Sequence, residues 1–105
     1  EAERAYAEVL RREPAHAKAH AGLGFVLSAR GRHVDAIAQY RAALASDPAL
    51  LQAYNGLALA LEASGDPDEA LRVLETALRR APGEQRLRAT YSAMAQEHGP
   101  VPRVQ

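Results

Sequence analysis

Apolar side chains recur along this chain at offsets of three and four. Between Leu51 and Ser64 the stripe is Tyr54, Leu57, Ala58 and Leu61, which marks one face of a helix and not a strand. From Pro67 to Arg80 a second stripe holds Ala70, Leu71, Leu74, Ala77 and Leu78. The punctuation between them agrees. Gly65 stops the first helix, because glycine takes the left-handed cap conformation without a steric penalty. Asp66 is placed to cap the next helix, Pro67 fits its first turn, and Glu69 stands three residues after the cap. Pro82 prevents continuation. A connection this short makes the two helices antiparallel.

The same pattern returns at a fixed period. Pro14, Pro48 and Pro82 are 34 apart, as are Gly31, Gly65 and Gly99, Ala2, Ala36 and Ala70, and Leu10, Leu44 and Leu78. Residues 51–84 match residues 17–50 without a gap at ten positions: Ala53, Gly56, Leu57, Leu61, Ala63, Gly65, Ala70, Ala77, Leu78 and Pro82. The chain therefore divides into a half repeat at 1–14, full repeats at 17–50 and 51–84, and a terminal helix at 85–99. The expected inner side of that last helix is Leu87, Tyr91, Met94 and Ala95. Pro100 and Pro102 predict an extended tail over 100–105.

A helix–turn–helix unit of this length resembles the tetratricopeptide repeat (TPR). His20-x-x-Leu23-Gly24-x-x-Leu27 and Tyr54-x-x-Leu57-Ala58-x-x-Leu61 are similar to the first-helix motif of that family. Ala36-x-x-x-Tyr40 with Pro48, and Ala70-x-x-x-Leu74 with Pro82, are similar to the second. His20 and Tyr54 stand where the family has tryptophan, and Leu27 and Leu61 where it has tyrosine. The resemblance covers 1–99. It implies an all-α fold, an α-solenoid of antiparallel helix pairs in a right-handed superhelix, and a protein-binding scaffold.

In the resembled family the first helices line the concave side. Stepping back two residues from the packing stripe turns a helix by about 200°. That gives Gln52, Asn55, Gly56, Leu59 and Ala63; one repeat earlier, Lys18, Ala21, Gly22, Phe25 and Ala29; one later, Arg86, Ala89, Thr90, Ala93 and Glu97. The expected groove has an apolar ladder (Phe25, Leu59, Ala93) and a small-residue floor (Ala21, Gly22, Gly56, Ala29, Ala63). Lys18, Gln52, Asn55 and Arg86 form a polar edge. Such a surface suits an amphipathic helix or an extended peptide with apolar side chains. The competing reading is that Phe25 and Leu59 only pack against neighbouring first helices, leaving a small polar groove. One subtype is argued against. Domains serving heat-shock chaperones clamp an acidic C-terminal carboxylate with lysine, arginine and asparagine in these columns. Ala21, Phe25, Gly56 and Thr90 stand at the matching places here, and only Arg86 offers suitable charge.

Charge narrows the partner. Thirteen basic and thirteen acidic residues cancel, giving no reason to expect nucleic acid or an anionic membrane surface. No apolar run approaches the roughly 20 residues of a membrane span, so no direct membrane insertion is expected. The absence of cysteine excludes thiolate catalysis and cysteine-ligated zinc but leaves the redox compartment open, with cytoplasmic favoured over periplasmic. Twelve arginines against one lysine point by association to a GC-rich, bacterial genome.

No catalytic constellation emerges. His16 and His20 have a metal-sharing spacing, but no base or third ligand accompanies them, and His20 sits in the packing column of Tyr54. His33 begins a second helix, where it packs or caps. Ser28, Ser46, Ser64 and Ser92 fall at helix ends or exposed faces, and every glycine reads as a stop or a close-packing position and not as a phosphate loop. Asp66, Asp68 and Glu69 are helix-start charges. No enzyme activity, cofactor or metal is expected. Two alternatives to a peptide-binding scaffold stand. One is self-assembly into a homo-oligomer through the unfinished ends, where Tyr6, Val9 and Leu10 open the chain on a lone second helix. The other is a targeting arm of a larger multidomain enzyme such as a bacterial transferase. Glu1 already lies in a helical pattern, so upstream sequence is expected.

Overall fold

A computed structural model describes residues 1–98. Gly99 and the expected tail lie outside the described residues. Six helices follow one another: α1 (Ala2–Arg12), α2 (Ala17–Ala29), α3 (His33–Ser46), α4 (Leu51–Ala63), α5 (Pro67–Arg80) and α6 (Gln85–His98). There is no strand among the described residues. Consecutive helices pack on each other, and α2 also touches α4, as α4 touches α6. The first helices therefore form one layer and α1, α3 and α5 the other, in a body of 45 × 26 × 25 Å.

The stops repeat as faithfully as the helices. Gly31 and Gly65 have φ of 79° and 95°. At the second, the Gly65 amide donates to the Glu62 carbonyl at 3.1 Å and the Asp66 amide to Leu61 at 2.8 Å. At the first, Gly31 donates to Ser28 and Arg32 to Leu27, the same pair of bonds one repeat earlier. Both turns satisfy carbonyls that a helix end leaves without partners. Asp66 caps α5 as its position predicts, its carboxylate accepting from the Glu69 amide at 3.3 Å. Between repeats, the Pro14 and Pro48 carbonyls are tied down from the following first helix. Tyr54 donates its hydroxyl to Pro48 at 2.8 Å, and His20 holds Pro14 at 2.8 Å through Nε2. Histidine and tyrosine in that column thus do one job.

The core runs down the seam between the layers. Leu71 and Leu74 of α5 are fully buried, as are Ala36, Ala43, Ala53, Ala58, Ala70 and Ala77. Alanine dominates the seam because the two layers approach closely, and each buried leucine adds about 2–3 kcal/mol. Leu87 and Met94 seal α6 onto this core, while Tyr91 reaches Glu75 of α5 at 2.9 Å. At the other end α1 has no buried residue, although α3 and α5 each have four. Glu3 anchors it through ion pairs to Arg30 and Arg32 at the far end of α2. Exposed pairs of this kind contribute 0 to about 1 kcal/mol each.

Candidate partner-binding groove

An open cavity of 790 Å³ lies on the first-helix side, between α2, α4 and the start of α6. Nine of the ten residues expected to bind the ligand line it, all but Thr90. Lys18, Gly22 and Phe25 line it from α2, Gln52, Asn55, Gly56 and Leu59 from α4, and Arg86 from α6. Ala21 also lines it but is itself buried, so it offers floor and little contact. Thr90 does not reach the cavity. Its hydroxyl turns back to the Arg86 carbonyl at 2.9 Å within α6. Ala63 and Ala93, expected in the floor and ladder, are likewise absent from the lining.

The apolar ladder faces solvent. Phe25 is 69% exposed and Leu59 46%, and only Val34 joins them as a large exposed apolar side chain among the described residues. The reading in which both merely pack against neighbouring first helices therefore fails. Isolated exposed apolar residues are ordinary, but these two occupy one column and line one cavity.

Six lining residues lie outside the expected columns, and three of them, Tyr6, Val9 and Tyr40, come from the second helices. Tyr6 of α1 lies against Gly22 of α2, and Tyr40 of α3 lies between Gly24 of α2 and Gly56 of α4. A Cβ added at Gly22 would sit 2.3 Å from the Tyr6 ring, and one at Gly56 would sit 2.4 Å from the Tyr40 ring. Gly24 flanks the other side of Tyr40, where a Cβ would stand 3.0 Å away. The helical glycines, each costing about 1 kcal/mol against alanine, thus make slots for tyrosine rings. Burial pushes the Tyr40 hydroxyl above its ordinary pKa, so it stands in the wall as a neutral group. The signal was present in the repeat columns: Tyr6, Tyr40 and Leu74 vary in step with Gly22, Gly56 and Thr90.

Polar groups are few. The Asn55 Oδ1 atom is buried and has no hydrogen-bond partner. An unmade bond of that kind costs about 1–3 kcal/mol. His16 also lines the cavity, but its Nδ1 caps α2 by accepting from the Ala19 amide at 3.1 Å. The second His20 ring nitrogen is taken by the Gln39 side chain at 2.9 Å. The two histidines are therefore engaged separately and do not share a site. His33 packs and does not cap: its Nδ1 is buried without a partner, and the residue before its helix is Arg32. One group of possible metal ligands was missed, Glu62, Glu97 and His98, whose ligand atoms lie within 4.8 Å of one another. Their shortest contact, His98 Nε2 to Glu62 Oε2 at 2.9 Å, ties the end of α6 to α4. No described helix is long and apolar enough to cross a membrane.

Stacked antiparallel helix pairs with an open groove along the first helices define an α-solenoid repeat protein. The chain belongs to the tetratricopeptide repeat family: one model of that description matches residues 27–96 and another residues 1–50. Among curated proteins none matches the chain. Solved structures similar to it include the TPR2B domain of yeast Sti1 in a pHsp70 complex, at 24% identity and a TM-score of 0.83. That match covers 91% of this chain and 82% of the other. A mutant O-GlcNAc transferase of Thermobaculum terrenum is 28% identical with a TM-score of 0.83, over 89% of this chain and 18% of the transferase. A thermophilic TPR protein of Thermus thermophilus is also 28% identical with a TM-score of 0.83, over 90% of this chain and 48% of that protein. Repeats of this family are generally non-catalytic interaction modules.

Proposed function

We propose that this chain is a non-catalytic scaffold that binds a peptide or helix of another protein in its first-helix groove. The observation that carries this is the exposure of Phe25 and Leu59 within one cavity. A surface built only for stability would bury both. The solved neighbours are consistent with this at the level of fold, two of them being complexes with pHsp70 and with an HSP90 peptide. The groove itself differs from a carboxylate clamp, since Ala21, Phe25, Gly56 and Thr90 carry no charge.

The test is affinity capture with the chain and with a Phe25→Asp/Leu59→Asp double variant of unchanged melting temperature. Partners bound directly should be lost with the variant. An identical captured set would overturn the reading. The open side of α1, which has no buried residue, supports a second reading in which that end receives another repeat or another copy. An arm attached to a separate catalytic domain is compatible with either; the similar transferase is matched over 18% of its length.

A further inference from the structure

The groove carries charge of one sign only. The whole chain is neutral, with thirteen acidic residues, yet no aspartate or glutamate lines the cavity. Its formal charges are Lys18 and Arg86, and neither enters an ion pair among the described residues. Lys18 is the chain's one lysine. The nearest carboxylate to Arg86 along the sequence, Glu84, accepts from the Arg86 backbone amide at 3.0 Å and so is engaged at the start of α6.

The position of these cations is regular. Lys18, Gln52 and Arg86 are each the second residue of their helix, whereas Phe25 and Leu59 lie seven residues further along. At 1.5 Å per residue the cationic row and the apolar row are about 10 Å apart. The first helices run parallel, so their positive ends reinforce the cationic row. A helix with its side chains is about 10–12 Å wide, so one lying across α2, α4 and α6 spans both rows at once.

We propose, resting on the groove reading above, that the occupant is a partner's amphipathic helix with an acidic flank. Its apolar stripe lies on Phe25 and Leu59, and its carboxylates face Lys18 and Arg86.

Selection of a displayed random-peptide library on the purified chain tests this, with fluorescence anisotropy and circular dichroism on the enriched peptides. The expected winners repeat apolar residues at i, i+3, i+4 and i+7, carry glutamate or aspartate along one flank, and gain helicity on binding. Their affinity should fall with added salt and drop about tenfold or more for Lys18→Glu/Arg86→Glu. If no peptide is enriched, or if binding survives Phe25→Asp/Leu59→Asp, the groove reading fails and this inference with it. If binding needs Phe25 and Leu59 but the winners are extended, lack an acidic flank or ignore the charge reversal, the groove stands and the acidic helix is overturned.

Discussion

Replacing Gly56 by alanine sets two effects of opposite sign against each other. Alanine is the better helix former by about 1 kcal/mol. Its methyl group, however, would stand 2.4 Å from the Tyr40 ring, far inside contact distance. That ring is only 5% exposed and is held from behind by Gly24, so it can retreat only toward the groove. Overpacking of this kind costs about 1–3 kcal/mol. Taking about 2 for the clash and subtracting about 1 for propensity leaves Gly56→Ala destabilising by about 1 kcal/mol. The decisive measurement is a double-mutant cycle with Tyr40→Leu. Leucine is the residue found one repeat later, at Leu74, opposite Thr90, which already bears a branched side chain. With the ring gone, Gly56→Ala should become stabilising by up to about 1 kcal/mol, for a coupling of about 2 kcal/mol. Urea melts with matching slopes read all four corners. An additive cycle, within about 0.5 kcal/mol, would refute the ring-in-slot account and leave the helical glycines unexplained.

Three further outcomes follow from burial and backbone geometry. Leu57→Ala should cost about 2–5 kcal/mol, because Leu57 is 4% exposed in the seam, whereas Phe25→Ala should cost less than about 0.5. Equal losses in urea melts would return Phe25 to a packing role. Gly65→Val should lose more than about 1 kcal/mol, since φ is 95° there with open space around it, and strain alone is being tested. A neutral result would place the helix stop elsewhere. Sedimentation over a wide concentration range should show self-association through the open side of α1, which Glu3→Lys should alter by breaking its ion pairs to Arg30 and Arg32. A strictly monomeric mass throughout would remove another copy as the occupant of that end.

What the sequence determined by itself is whatever depends on local spacing. Helix faces follow from the recurrence of Tyr54, Leu57, Ala58 and Leu61, stops from Gly31 and Gly65, and caps from Asp66 before Pro67. These need only the geometry of a single helix and its ends, and the 34-residue period multiplies each signal. Periodicity also placed the first-helix columns on one surface, which is why Lys18, Gly22, Phe25, Gln52, Asn55, Gly56, Leu59 and Arg86 meet in one cavity. Tertiary structure alone decided how deep each column sits. The layers approach closely enough at Gly22 and Gly56 for the Tyr6 and Tyr40 rings to join the wall. One repeat later Thr90 falls outside the groove. Whether Phe25 packs or faces solvent, and whether His98 meets Glu62, depends on distances between helices. Those distances are set by side-chain volumes on both sides of each contact, a sum over partners far apart in sequence that no single helix pattern contains.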